Sequence, residues 1–352
     1  MENILYSTSL RLKELKTSLP EILLHQQMEM QPPLKAKYGQ RQIDLHLEDT
    51  RYHLSYLAES IAANEPLLFY EYLSWAKSFF ANLPVTDEEI ILNLELLRDE
   101  LEKKLEPEQF KLAGTLINRG IRHYIDYNPD IPSFIKDDNP LAPLAKEYLY
   151  SLINGNKNPA HHLIMNAVEK GTPIKDIYLD VFQITQRETG RLWQISNISV
   201  AQEHYITAAT QLIMSQLYPY LFTSANKQKK IVVSCTAGEL HELGARMVAD
   251  LFELDGWDSY YFGANTPESS LLSAIQSYKP DVVALSVTMT FNLDSLTQLI
   301  GKIKAGANTG DTKVLVGGYP FIISEKLWQN VGADGCGRDA LEAIKLANQL
   351  TT

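Results

Sequence analysis

Apolar positions recur at helical spacing from the start of the chain to about residue 222, and then give way to short apolar runs that alternate with helical patterns. Residues 1–134 read as wholly helical, with the clearest periodicity at 43–63, 67–83, 87–105 and 110–127. Thr86-Asp87-Glu88-Glu89 supplies an N-cap and an acidic first turn, which complements the positive end of a helix. Pro107 suits an early helical position, where its missing N–H is not needed. Tyr127-Asn128-Pro129-Asp130-Ile131-Pro132 breaks the pattern and reads as a linker. Four more helical stretches follow at 141–153, 160–169, 174–193 and 200–222. Their short connections make neighbours antiparallel and predict a four-helix bundle over 137–222. A polar linker at 223–229 leads to apolar runs near 230–235, 257–262, 281–286, 313–317 and 334–336. Strand and helix in alternation predict a flavodoxin-like, doubly wound parallel sheet over 230–352. The expected architecture is therefore multidomain α + α/β: a helical sensor or docking domain (1–134), a four-helix bundle (137–222) and a Rossmann-like domain (230–352).

Composition limits what these domains do. The 352 residues are 45% hydrophobic and 21% charged, ordinary for a globular protein. A net charge of -11 with no basic face argues against direct nucleic-acid binding. No apolar stretch has membrane-spanning length and no signal peptide is present, so the expected location is the cytoplasm, with no membrane partner. Cys235 and Cys336 adjoin predicted core strands and read as buried free thiols. His25, His46 and His123 are isolated, and the adjacent His161 and His162 point to different sides of a helix. Surface or capping roles are expected for all of them, and no second metal site.

The chemistry concentrates in Glu239-Leu240-His241-Glu242-Leu243-Gly244, between the run Ile231-Val232-Val233-Ser234-Cys235 and a helical pattern. A histidine is presented at the carboxyl end of the first βα unit, the edge where open α/β sheets bind ligands. A neutral imidazole there can ligate a metal, and a carboxylate two residues away can hold its other nitrogen. The next strand ends in Ser286-Val287-Thr288 and the following one in Gly317-Gly318, where paired glycines would let a ligand lie against backbone. These features resemble the cobalamin-binding signature D-x-H-x-x-G, S-x-L, G-G, with Glu239 for the usual Asp and Thr288 for the usual Leu. The resemblance implies that His241 replaces dimethylbenzimidazole as the lower cobalt ligand and that Glu239 orients it. It also implies that the loop Gly244 is part of the site and that Ser286, Thr288, Gly317 and Gly318 line the pocket for the nucleotide tail.

A second cluster lies in the predicted bundle. Ser199 is a good N-cap with Gln202 placed to complete a capping box. Val200, Glu203 and His204 then share one helix face, and Trp193 closes the preceding helix. An indole, a small apolar residue, a carboxylate and an imidazole together can recognise a nucleoside by stacking and ribose hydrogen bonds. Trp, nine residues, then Glu-His resembles the signature of cobalamin-dependent photoreceptors, the light-sensing repressors of the MerR class. That resemblance covers 137–352 and implies that Trp193, Val200, Glu203 and His204 contact the 5′-deoxyadenosyl group of adenosylcobalamin. The chain departs from those repressors in two ways. It has no basic winged helix-turn-helix, and Gln194 stands where they carry a second cobalt-ligating histidine.

The N-terminal segment is similar to that of photocobilins, related photoreceptors that bind a bilin beside cobalamin. Tyr52, His53, Tyr56, Tyr70, Tyr72 and Trp75 would hold a flat tetrapyrrole, with Arg51, Tyr52 and His53 as partners for its propionates. No cysteine lies there, so biliverdin would be held non-covalently. The expected function is thus a non-enzymatic adenosylcobalamin photoreceptor, with biliverdin as an additional chromophore, acting on an unidentified effector or through a change in homo-oligomer. The alternatives are a corrinoid methyl carrier of a methyltransferase system and a cobalamin-level sensor.

Overall fold

The computed structural model describes residues 2–222, 224–306 and 311–352. Thr223, which opens the predicted linker at 223–229, lies outside the described residues. The chain forms two compact units.

The first unit comprises Met1–Pro129, Met289–Asp294 and Ile323–Val331. Its main part runs α1 (Glu2–Leu15), α2 (Leu19–Met30), α3 (Pro33–Lys37), α4 (Gln40–Ala62), α5 (Pro66–Phe80), α6 (Asp87–Lys104) and α7 (Pro107–Asp126). The last four match the predicted stretches. Thr86 caps α6 by accepting from the Glu89 N–H at 3.3 Å, and Lys103 and Lys104 balance its acidic first turn at the other end. Leu54, Phe69, Leu73, Leu94, Leu97 and Ile117 are fully buried at the centre, with Leu12 added by α1 and Leu19 and Leu23 by α2.

Several polar groups lie in or beside this core. Lys77 donates to the carbonyls of Tyr124 and Ile125 at 2.6 and 3.0 Å, satisfying the open end of α7. Buried His53 meets the Tyr72 hydroxyl at 2.7 Å, and Tyr56 stacks on Tyr72 with ring centres 4.0 Å apart. His46 meets Asn93 Nδ2 at 3.2 Å and His123 meets Ser74 Oγ at 2.7 Å. The expectation of surface or capping roles is corrected for His46, which helps to close the polar interior; His123, in the last turn of α7, bonds a neighbouring helix rather than its own. His53 and Tyr72, candidates for gripping a tetrapyrrole, instead satisfy one another inside the core.

The second unit comprises Asp130–Thr288, Ser295–Ile322 and Gly332–Thr352. Its bundle contains α8 (Ala142–Ile153), α9 (Lys157–Glu169), a third helix from α10 (Ile174–Asp176) through a π-helical stretch (Ile177–Gln183) into α11 (Ile184–Gln194), and α12 (Val200–Leu217). Ser199 and Gln202 form the predicted capping box at 3.3 and 3.0 Å. The predicted last helix ends early, at Leu217, because Pro219 follows in a short 3-10 turn over Tyr218–Tyr220. Sequence periodicity gave no sign of the π turn.

The sheet has five parallel strands in the order β2-β1-β3-β4-β5: β1 (Lys230–Cys235), β2 (Asp258–Tyr261), β3 (Val282–Ser286), β4 (Lys313–Gly317) and β5 (Gly335–Cys336). Helices α13 (Leu243–Leu254), α14 (Glu268–Tyr278), α15 (Leu293–Ala305), α16 (Tyr319–Ile323) and α18 (Ala340–Leu350) flank the strands in sequence, while α17 (Leu327–Asn330) and a 3-10 turn over Thr290–Asn292 belong to the first unit. This is the flavodoxin-like order, and it reverses between β1 and β3, which opens a crevice at their carboxyl ends. Helix α13 joins sheet and bundle: Leu243, Met247 and Leu251 share one core with Ile177, Phe182, Ile206 and Met214. From the π turn, Tyr178 donates to Asp250 of α13 at 2.9 Å.

Burial, then the neighbouring His46, holds His53 down to about 3. In the unfolded chain it protonates near 6.5, so its contribution to stability is complete above that pH and is lost as pH falls toward 3. Asp49 and Glu59, both pushed up by burial to about 7, act in the opposite sense, so a difference measurement is required. In urea unfolding, the stability advantage of the wild type over His53→Gln should shrink on going from pH 7 to pH 5, by at most about 1.4 kcal/mol per pH unit. A gap that does not change with pH would mean that His53 is not buried in its neutral form.

Candidate functional site

The loop after β1 is held at almost every polar atom. The Glu239 N–H donates to the Thr236 carbonyl at 3.0 Å, and its own carbonyl accepts from Asn265 N–H at 2.9 Å. Gly238, with φ +83°, turns its N–H onto Asn265 Oδ1 at 2.8 Å. The Glu239 side chain is fully buried. Its Oε1 accepts from the His241 backbone N–H at 3.0 Å and pairs with His241 Nδ1 at 2.6 Å. Its Oε2 accepts from the Thr288 N–H at 2.8 Å, across the crevice on the β3 loop. The longer carboxylate thus reaches the imidazole directly.

His241 leaves more than half of its side chain exposed, and Nδ1 is spent on Glu239. Nε2 therefore faces outward as the available ligating atom. The hydrogen bond to Glu239 raises the His241 pKa, partial burial lowers it, and the charges of Glu239 and Glu203 raise it again. Helix α12 meets this loop where Gln211 donates to Glu242, the neighbour of His241, at 2.9 Å.

Ser286 ends β3, in register with Cys235 and Gly317, so those positions form the floor of the same edge. Close packing of the chain's own backbone requires the glycine pair. A Cβ on Gly318, at φ +107°, would stand 1.9 Å from the Val287 carbonyl oxygen, and one on Gly317 would stand 3.1 Å from that of Gly337. Gly244 differs: it is exposed in the first turn of α13, and a Cβ there would meet nothing within 4 Å. The Thr236 hydroxyl, which sequence reasoning passed over, is buried without a hydrogen-bond partner beside β1. A polar atom in this state suits a site that a polar ligand completes. Cys235 and Cys336 are free thiols, and burial pushes them up to about 12 and about 11.

In the bundle, Trp193 is half-buried, Val200 is exposed, and Glu203 meets His204 Nδ1 at 2.5 Å. Thr207 donates toward Glu203 at 2.9 Å and toward Gln186 at 3.1 Å, and Gln186 donates to Thr210 at 3.0 Å. This chain of bonds steadies the Glu203 carboxylate. Gln194 is buried in the bundle rather than presented beside Trp193.

Residues 229–345 match the family model of the B12 binding domain, and residues 144–218 match a second B12 binding domain model. It is a cobalamin-binding protein. This cobalamin-binding protein is 22% identical to a corrinoid protein of Desulfitobacterium hafniense, over 60% of its own chain and 98% of the relative. It is 22% identical to monomethylamine corrinoid protein 1 of Methanosarcina barkeri, over 56% and 92% respectively. Its fold is similar to the solved structure of a Methanosarcina barkeri monomethylamine corrinoid protein, with a TM-score of 0.53 at 21% identity, over 60% of this chain and 99% of that one.

Glu239→Ala leaves the Thr288 and His241 N–H groups without their acceptor and should cost about 2–3 kcal/mol of unfolding free energy in the cofactor-free cobalamin-binding protein. Glu239→Gln should retain part of that and lower the His241 pKa, read from imidazole resonances in an NMR titration. An unchanged pKa would mean that the pair does not form in solution.

Proposed function

We propose that the protein is a corrinoid carrier: His241 Nε2 would hold the cobalt of a bound corrinoid, the bundle face would shield the corrinoid, and the group it carries would pass to or from a partner protein. The observation that carries this is the His241 imidazole, pinned through Nδ1 by a buried carboxylate and more than half exposed, which leaves Nε2 as its open ligating atom. The methylamine corrinoid proteins named above support methyl as the group carried. Cobalamin supplies the cobalt–carbon bond that is made and broken. The residues do the rest. Glu239 keeps the proton of His241 on Nδ1, so that a neutral Nε2 lone pair is available. Thr236, Ser286 and Thr288, with the exposed Gly244, would receive the nucleotide tail. Trp193 and Val200 keep water from the upper face. In this reading the protein is a component of a methyltransferase system rather than an enzyme alone.

A second reading, an adenosylcobalamin light sensor, is favoured by Trp193, Glu203 and His204 on one bundle face, with Glu203 held by Thr207 for a ribose hydroxyl. Loss of the adenosyl group in light would then alter the contact between bundle and sheet. Biliverdin as a second chromophore would rest on Tyr52, Tyr70 and Trp75, since His53 and Tyr72 are engaged with each other.

Absorption spectra of the protein with methylcobalamin, adenosylcobalamin and biliverdin, before and after illumination, separate these readings. The carrier reading expects a base-off, histidine-ligated spectrum that His241→Ala abolishes, and methylcobalamin bound at least as tightly as adenosylcobalamin. A preference for adenosylcobalamin that weakens in Trp193→Ala and Glu203→Ala, with a light-driven change in oligomer, would replace it with the sensor. A base-on spectrum in the wild type would sink both.

A further inference from the structure

Glu242 follows the proposed cobalt ligand and stands at the N-cap of α13. Neither reading above uses it. Its Oε1 accepts from Gln211 Nε2 of α12 at 2.9 Å. Its Oε2 accepts from the Ala264 N–H at 2.9 Å and the Tyr261 hydroxyl at 3.1 Å. One half-buried carboxylate therefore joins the bundle, the end of β2 with its following loop, and the His241 loop. All three partners are donors, which suits an ionised acceptor, and bonds to a charged acceptor are stronger than neutral ones.

The position on α12 gives this junction a consequence. Glu203, Thr207 and Gln211 lie at i, i+4 and i+8, on one stripe of the helix. Gln211 is fastened to the loop, while Glu203 lies roughly 12 Å nearer the amino end, at 1.5 Å per residue. The apolar core shared with α13 also grips α12 beyond Gln211, through Ile213, Met214 and Leu217. The bond at Gln211 thus ties α12 to the loop beside His241, and Ile206 and Ala209 carry the same apolar core toward Glu203.

We infer that Glu242 is a positioning residue that sets the angle of α12 over the cobalt ligand, so that opening the upper face requires the Gln211–Glu242 bond to break. Because the same residue adjoins His241, a partner that lifts α12 also loosens the loop carrying the lower ligand. The inference rests on His241 as that ligand and holds for either upper group.

The test is the rate at which cyanide replaces water on the upper face of bound aquocobalamin, followed by stopped-flow absorption. Gln211→Ala should speed exchange roughly tenfold, the effect of losing one hydrogen bond to a charged group, and Glu242→Gln, which keeps one neutral acceptor oxygen, by a smaller factor. The double variant should be no faster than Gln211→Ala, because both substitutions act on the same contact. The histidine-ligated spectrum and melting temperature should stay near those of the wild type. If Glu242→Gln does not fold, Gln211→Ala decides alone, since it alters no residue of the loop. Unchanged exchange in Gln211→Ala, additive rates in the double variant, or a lowered melting temperature without faster exchange would overturn the inference. In each of those cases a histidine-ligated wild-type spectrum leaves the His241 reading standing. A base-on wild-type spectrum would overturn that reading first.

Discussion

The buried carboxylate of Glu239 is the constraint on which the site depends. Taking an ionised carboxylate out of water costs several kcal/mol unless hydrogen bonds replace its hydration. Here three donors from two loops do so: the backbone and imidazole of His241, and the backbone of Thr288. The arrangement joins the β1 and β3 loops, whose strands flank the crevice, and it fixes the imidazole with Nε2 outward. Without it, the loop would lose both its link across the crevice and the orientation of its histidine.

The bundle is held to the same edge by two kinds of force. An apolar core shared with α13 supplies the adhesion, and polar contacts set the register. Tyr178 to Asp250 and Gln211 to Glu242 are the two direct bonds described between helices of the bundle and the first βα unit. Tyr178 lies in a π turn, a local irregularity that is often found at functional positions in helices. Across the sheet, Gly318 allows Val287 to approach so closely that the β3 and β4 loops form a single floor.

The helical unit at the amino end follows a different plan. Its core pairs polar groups with one another: His53 with Tyr72, Asn93 with His46 and Gln27, Ser74 with His123. Pairs of this kind favour one packing arrangement over its competitors, because each slip would strand a further buried donor or acceptor; Asn93 Oδ1 is already buried without a partner. Lys13 extends the network to Glu59 at 2.7 Å and to Asp294 at 2.9 Å, within the same unit.

By itself the sequence determined the element order, the class of each segment, the caps at Thr86 and Ser199, and the loop that carries His241. These follow from local rules, namely apolar periodicity, capping chemistry and glycine or proline breaks, which act over a few residues. Cobalamin binding was legible because its residues are concentrated at strand ends in a short pattern. Only the tertiary structure decided what Glu239 reaches, since its bond to Thr288 joins positions 49 residues apart. It likewise gave Glu242 its partners, buried Gln194, buried His53 against Tyr72, and left the Thr236 hydroxyl without a hydrogen-bond partner. Gly318 shows the limit most directly. Its sequence context gave only a glycine pair at a strand end, whereas the folded chain sets the carbonyl of Val287 where a Cβ would stand, because which atoms crowd a glycine depends on strands that meet only after folding.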